Sequence, residues 1–322
     1  PQLYLIHSLT NRCNAQCGFC AWRFYDNKDE LSTEEIKQLY ADAKAAGFIG
    51  VSLWGGEPLV HRDVGEICRH AHELGLRTHM VTNGSLLMKK MDKVLPHLDR
   101  FCISVDHPSD HHDEMRVIPG LYGKIMDATR EVRRRAPDKK VIYVYTFQAG
   151  NTEPETIRDM ARQMQELGVV GVFNAMRLEG ATDDPDGKTA LKKYEATQEE
   201  LTRAFAAVRQ LKREGYPILN SFTHIDMMQK GPPRYRCHWP KFLLPIEANG
   251  DVVDCMNWGH HPVDNIRRTP LAQILEHPRL RALAGEEGEA CCKCVSLHRV
   301  EVSEACEGNM EPLFAWVSGL WQ

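Results

Sequence analysis

The chain has 322 residues, of which 43% are hydrophobic and 26% charged, the balance of a globular protein long enough to bury a sizeable core. Its formal charge of −4 gives no broad attraction to nucleic acid or an anionic lipid surface, so neither is expected as a partner. Mean hydropathy is −0.42 and no apolar run approaches the roughly 18 residues of a membrane span.

The chain opens directly on a strand-like segment, which leaves room for a further segment upstream, and no signal peptide is visible. Strand-like and helix-like patterns then alternate as β-α units. Strands are predicted at Leu3–Ser8, Phe48–Leu53, Arg77–Thr82, Phe101–Val105, Val141–Phe147 and Val169–Ala175. Apolar spacing predicts helices at Thr33–Ala46, Val64–Leu74, Lys89–His97, Tyr122–Arg135 and Glu155–Leu167, the first opened by a capping-box pattern, Ser32-Thr33-Glu34-Glu35. Six such units suit an α/β fold of the partial (β/α)6 TIM-type barrel kind; a doubly wound sheet is the competing reading. In either, chemistry belongs at the C-terminal ends of the strands.

The stretch from Arg177 to Glu195 is polar and acidic, and Asp183-Asp184-Pro185-Asp186-Gly187 breaks any helix. It reads as a solvated linker or, in the sharper reading, a substrate lid over the barrel mouth. A helix at Gln198–Arg213 leads into a second region. The domains are therefore drawn as a barrel at 1–215 and a small cysteine-rich domain at 216–322.

Eleven cysteines fall into groups with metal-like spacing, and their odd number fits poorly with a pure disulfide framework, which points to a reducing cytoplasm and metal ligation. Cys68 and Cys102 stand alone and read as small buried hydrophobes. The first group is Cys13-Asn14-Ala15-Gln16-Cys17-Gly18-Phe19-Cys20, directly after the first strand. Three thiolates can hold three irons of a [4Fe–4S] cube and leave the fourth open to a ligand. A zinc loop or unpaired buried thiols are the alternatives on chemistry alone.

Further polar residues follow successive strand ends: Gly55-Gly56-Glu57-Pro58, then Thr82-Asn83-Gly84, then Ser104 and Asp106, with His112, Asp113 and Arg116 beyond. Two glycines admit close backbone approach to a ligand, and an arginine at a strand end supplies a fork for a carboxylate. With the triplet, this series resembles the radical S-adenosylmethionine (SAM) enzymes. The resemblance implies that Cys13, Cys17 and Cys20 bind a [4Fe–4S] cluster whose open iron chelates SAM. It also implies that one electron, supplied by a reductase such as flavodoxin or ferredoxin, cleaves SAM to a 5′-deoxyadenosyl radical that takes hydrogen from a substrate. Carried over residue by residue, Phe19 shields the cluster, Gly55, Gly56 and Glu57 form the GGEP motif at the SAM amino group, and Asn83, Ser104 and Arg116 complete the cofactor site. His107 stands where the family usually has glycine, which raises the prospect of a different local backbone. Asp106 reads equally as a ligand contact and a loop cap.

In the second group, Cys237 and Cys255 flank a hairpin with Asn249-Gly250 at its turn, and Cys291-Cys292-Lys293-Cys294 supplies a C-x2-C pair. Four thiolates here suit a second [4Fe–4S] cluster or a structural zinc. The region resembles the auxiliary-cluster domains of radical SAM enzymes. With only Cys306 beyond the pair, the short "twitch" version with one cluster on Cys237, Cys255, Cys291 and Cys294 is expected, Cys292 and Cys306 being alternatives.

Substrate groups are sought beyond strands five and six, among Tyr145, Gln148, Asn151, Asn174, Met176, Arg177 and Glu179, and near the auxiliary cysteines at His260, His261, His298 and Arg299. Tyr145, Arg177 and Glu179 are the candidates for catalysis. The leading expectation is radical oxidation or rearrangement of a small polar metabolite such as a sugar, aminocyclitol or nucleoside. Peptide maturation, in which the acidic 183–186 loop meets a basic leader, adenosyl-radical carbon–carbon bond formation, and a non-enzymatic electron carrier are the alternatives.

Overall fold

In a computed structural model of the chain, residues 3–20, 22, 29–176, 185–231, 235–255, 262–284 and 295–314 are described. The strands are β1 (Tyr4–Thr10), β2 (Gly50–Gly55), β3 (Arg77–Thr82), β4 (Arg100–Ser104), β5 (Lys140–Phe147), β6 (Val170–Ala175), β7 (Leu243–Ile246), β8 (Asp251–Val253) and β9 (Pro262–Asn265). The helices are α1 (Thr33–Ala45), α2 (Val64–Glu73), α3 (Leu87–Val94), α4 (His111–Arg116), α5 (Leu121–Arg135), α6 (Pro154–Leu167), α7 (Pro185–Lys192), α8 (Gln198–Arg213), α9 (Phe222–Lys230), α10 (Leu271–Ile274), α11 (Pro278–Ala284) and α12 (Leu297–Cys306).

All nine strands join one sheet in the order β6-β5-β4-β3-β2-β1-β7-β8-β9. The first six are parallel and in sequential order. Right-handed crossovers between sequential strands put every connecting helix on the same face, whereas a doubly wound sheet needs a reversal of order. The reversal is absent, and no pairing joins β6 to β9 among the described residues. The fold is therefore a partial barrel.

Alternation along the strands separates two faces. Leu5, Leu9, Val51, Leu53, Met80, Phe101, Ile103, Tyr143, Tyr145 and Phe173 lie in the helix-packed core. Ile6, Ser52, Trp54, His79, Cys102, Ser104 and Val144, between them along the same strands, are only half-buried and form the concave face. A second, smaller cluster closes part of that face: Ile142, Val170 and Val172 pack with Leu219 and with Leu297, at the start of α12. The Leu297 amide also donates to Asn174 Oδ1 at 3.2 Å.

The capping box is formed as expected, with Ser32 and Glu35 each accepting from the other's backbone. The predicted hairpin is β7–β8, closed by Glu247 N donating to Asp251 O at 2.8 Å. Its loop is Ala248-Asn249-Gly250 with Gly250 at φ +88°, a longer turn than the two-residue type that Asn-Gly most often makes. No helix among the described residues is long and apolar enough to cross a membrane.

Candidate functional site

Beyond β1 the chain runs through the cysteine triplet. Cys13 is exposed, Cys17 buried and Cys20 half-buried. The loop turns where Cys20 N donates to Cys17 O at 3.2 Å, and the Cys17 thiol donates to the Arg116 carbonyl at 3.6 Å. Burial pushes the Cys17 thiol up to about 12, against the pull of the Arg116 cation. Cys13 is raised as well, first by burial and further by Glu57 and Cys20. The three sulfurs thus lie within one another's fields beside the Arg116 cation, although no three His, Cys, Asp or Glu side chains among the described residues form a ready-made metal site. The donor set still fits an iron–sulfur cluster, since metal ligation takes the thiolate form and Arg116 offsets part of that charge.

The residues carried over from the resemblance gather around this loop. Gly55, at φ +122°, keeps the end of β2 close to β1; a side chain there would meet the Thr10 carbonyl at 2.5 Å, and one at Gly56 would overlap the Arg12 carbonyl. Glu57 is fully buried. Its Oε1 accepts from Thr82 Oγ1 at 2.7 Å and Leu59 N at 3.0 Å, and its Oε2 accepts from Asn83 N at 2.6 Å. It braces the motif from below and presents no free oxygen upward. Asn83 donates to Asn14 Oδ1 at 3.0 Å, and Asn14 donates to Ser85 Oγ at 2.8 Å, which ties the cysteine loop to the end of β3. Ser104 is half-buried on the concave face.

Arg116 is turned toward Asp106, whose Oδ2 accepts from both its Nε and Nη2 at 2.6 Å. The guanidinium also sits 5.1 Å over the Phe19 ring. Asp106 is therefore Arg116's partner, a role the sequence left open. His107 needs no glycine-like backbone, because Val117 alone among the described non-glycine residues has positive φ. On the far side of Phe19 stands Tyr194, edge-on at 6.5 Å, and a side chain at Gly18 would overlap its hydroxyl. The Tyr194 carbonyl accepts from Ala149 N at 2.8 Å, which ties Tyr194, packed on Phe19 of the cysteine loop, to the turn after β5. Tyr194 carries no local sequence pattern that would single it out.

The candidate substrate groups divide. Tyr145 faces the core, donates to Asn151 O at 2.7 Å and packs on Phe147 and Phe173, away from the concave face. Asn151 holds the turn after β5 through Asp106 O and Thr146 O. Asn174 anchors α12, and Arg299 lies buried with its guanidinium 4.9 Å from the Trp239 ring centre. Met176 is buried, His298 exposed, and Gln148 is buried with Nε2 unpartnered. Cys68 is buried in α2 and Cys102 half-buried on the concave face. Arg177, Glu179, Asp183, Asp184, His260, His261, Cys291, Cys292 and Cys294 lie outside the described residues. Of the auxiliary group, Cys237 and Cys255 are half-buried and Cys306 is exposed.

Glu247 was visible in the sequence only as part of the hairpin. Leu244 and Ile246 enter the core, so alternation turns Glu247 to the concave side, where its Oε2 has no partner. Burial, helped by Asp251, raises its carboxyl to about 7. A carboxyl raised in the folded state contributes full stability below its ordinary range and loses it as pH rises through 7. Glu247→Gln should therefore leave the melting temperature unchanged at about pH 4 and raise it at about pH 8, by an equivalent of about 3 kcal/mol. Equal shifts at both pH values would show that Glu247 does not titrate in this way.

A sequence profile of the radical SAM superfamily matches residues 7–164, and one of the SPASM iron–sulfur cluster-binding domain matches 237–295. The chain belongs to the radical SAM superfamily. As a radical SAM enzyme it binds SAM at a [4Fe–4S] cluster, carries a C-terminal auxiliary iron–sulfur domain and requires a reductant. The SPASM profile is matched even though the cysteine count suggests the shorter version.

It is 26% identical over 337 aligned positions to the AdoMet-dependent heme synthase of Methanosarcina barkeri, covering 96% of this chain and 92% of that protein. It is 27% identical to the PqqA peptide cyclase of Rhizobium meliloti, covering 91% and 80%. Among solved structures it resembles Streptococcus suis SuiB bound to S-adenosylmethionine, with a TM-score of 0.69 at 17% identity, covering 87% of this chain and 67% of SuiB. It also resembles anSMEcpe with bound AdoMet, with a TM-score of 0.65 at 14% identity over 99% of this chain and 98% of that one. These structural likenesses establish the shared fold.

Proposed function

We propose that this radical SAM enzyme modifies a peptide or protein. The observation that carries the reading is the likeness to a peptide cyclase across 91% of the chain, joined to the SPASM match. The SuiB fold has also been seen with a precursor peptide bound. A small polar metabolite, the leading expectation from sequence, finds less support in these comparisons. The second reading is a small-molecule substrate of the heme class, favoured by the heme synthase likeness.

When bound, the cluster supplies the electron that cleaves SAM. Cys13, Cys17 and Cys20 are the proposed ligands. Gly55 and Gly56 leave room for the amino acid end of SAM, while Ser104 and Arg116 line its other side, with Asn83 and Glu57 holding the loops that carry them. Phe19 and Tyr194 keep water from this pocket. Cys237, Cys255, Cys291 and Cys294 are the proposed auxiliary ligands, with Cys292 and Cys306 as alternatives.

The test is to incubate reduced, reconstituted enzyme and SAM with peptides encoded beside its gene, with porphyrin-class compounds and with polyols. Peptide-dependent 5′-deoxyadenosine and a mass change in the peptide are expected, and alanine at Cys13, Cys17 or Cys20 should abolish both. Turnover with a porphyrin or polyol and with no peptide would overturn the peptide reading.

A further inference from the structure

The cysteine loop leaves β1 at Thr10 and returns at Glu30, just before α1, and Glu30 closes its neck. Glu30 Oε1 accepts from Thr10 Oγ1 at 2.6 Å and Asn11 N at 2.9 Å, and Oε2 accepts from Arg12 Nη2 at 3.0 Å. On its other side the neck is bonded to the glycine-rich motif: Thr10 O accepts from Gly56 N, and Arg12 O from Glu57 N, both at 2.9 Å. Any loosening of the neck is therefore felt by both halves of the SAM site.

The neck is gripped from the iron–sulfur domain by one side chain. Arg267 Nη1 donates to both Asp29 oxygens at 2.9 and 2.8 Å, Nη2 to Glu30 O at 3.0 Å, and Nε to Glu35 Oε1 at 2.7 Å. The backbone of Arg267 is itself fixed, its amide donating to Asn265 Oδ1 at 2.8 Å, and Asn265 donates to Asn249 O and Asp251 Oδ1 in the β7–β8 hairpin. A rigid fork thus runs from the hairpin that precedes Cys255 to the base of the cysteine loop, engaging two carboxylates and a carbonyl at once. A second tie, Leu31 N donating to Ala248 O at 2.7 Å, does not use Arg267, so its loss need not undock the domain.

We infer that Arg267 is a positioning residue for SAM: it holds the neck of the cysteine loop closed, so that SAM binding at the first cluster depends on the docked iron–sulfur domain. Without it, the neck loses the fork that joins Asp29, the Glu30 carbonyl and Glu35 to the hairpin. This inference rests on SAM binding at the triplet and not on the peptide reading.

The test uses reconstituted full-length enzyme with SAM alone as the probe, following the SAM-induced change in the EPR signal of the reduced cluster and the substrate-independent cleavage of SAM. Arg267→Ala should weaken SAM binding about tenfold in the EPR titration and raise the KM for SAM alike, leaving the cleavage kcat within about twofold. Arg267→Lys, which keeps the charge and loses the fork, should fall between. Glu30→Gln should weaken SAM binding in the same direction, and the double variant should do no worse than the stronger single one, because both act through one neck. Iron content and melting temperature report the fold; if Arg267→Ala fails to hold its iron, the lysine and Glu30 variants decide. A SAM titration unchanged from wild type in folded variants, or fully additive losses, would overturn the inference. No SAM effect on the wild-type signal would instead sink the assignment of the triplet.

Discussion

Glu57→Ala is expected to lower the melting temperature of the reconstituted enzyme by about 5 °C and to abolish SAM binding, although its carboxylate presents no free oxygen to a ligand. Three buried donors, Thr82 Oγ1, Asn83 N and Leu59 N, end on its two oxygens. Removing the acceptor leaves all three unsatisfied, a cost of about 3–5 kcal/mol. Burial raises the Glu57 carboxyl, while these three bonds and Arg116 pull it back down. Glu57→Gln tests the division of labour. It keeps one acceptor oxygen for two of the donors and sets an amide N–H against Asn83 N, so about half the loss of stability should return. Thermal melting and the SAM-dependent EPR change measure the two effects separately. A stable alanine variant with normal SAM binding would show that the glycines alone shape the motif.

The sheet was legible because its strands carry short apolar runs between glycine and charged punctuation. Arg77–Thr82 was placed to the residue, and Phe101–Val105 sits one residue from β4. The helices α1, α6 and α8 were equally plain, since 13 or more residues repeat an apolar stripe. Helix α4 was not: six residues, His111–Arg116, are too short to show a period. The cysteine loop and its glycine-rich partner were legible as motifs, because chemistry fixes their local spacing. What sequence did not show was pairing at a distance. Arg267 and Glu35 are separated by 232 positions, and neither departs from an ordinary surface residue until the hairpin folds back on α1. Substrate class escaped for a related reason, as the mouth is built from half-buried side chains of several strands, none of which carries a local pattern.

Asp106→Asn and Arg116→Ala should move the first cluster in opposite directions, and that contrast is the sharpest expectation for the pair. Asp106 is fully buried and the Arg116 side chain only 13% exposed. Burial works against the Arg116 charge, and Asp106 more than restores it. Breaking such a pair from either side costs about 3–5 kcal/mol, because the survivor keeps its desolvation penalty without its partner. Stability should therefore fall in both variants. The field at the cysteines should not follow suit. In the asparagine variant Arg116 keeps its cation beside Cys17 with no carboxylate to offset it, which favours the more negative, reduced cluster and raises its potential. In the alanine variant the cation is gone and Asp106 remains, which disfavours the more negative, reduced cluster, so the potential falls. SAM binding discriminates further: a freed fork at Arg116 suits the SAM carboxylate, whereas its removal leaves that end of the cofactor without a cation. Redox titration of the reconstituted enzyme, with the auxiliary cysteines replaced so that one cluster is read, gives the signs. Potentials shifting the same way in both variants would show that Arg116 acts on the loop through packing over Phe19 and not through its charge.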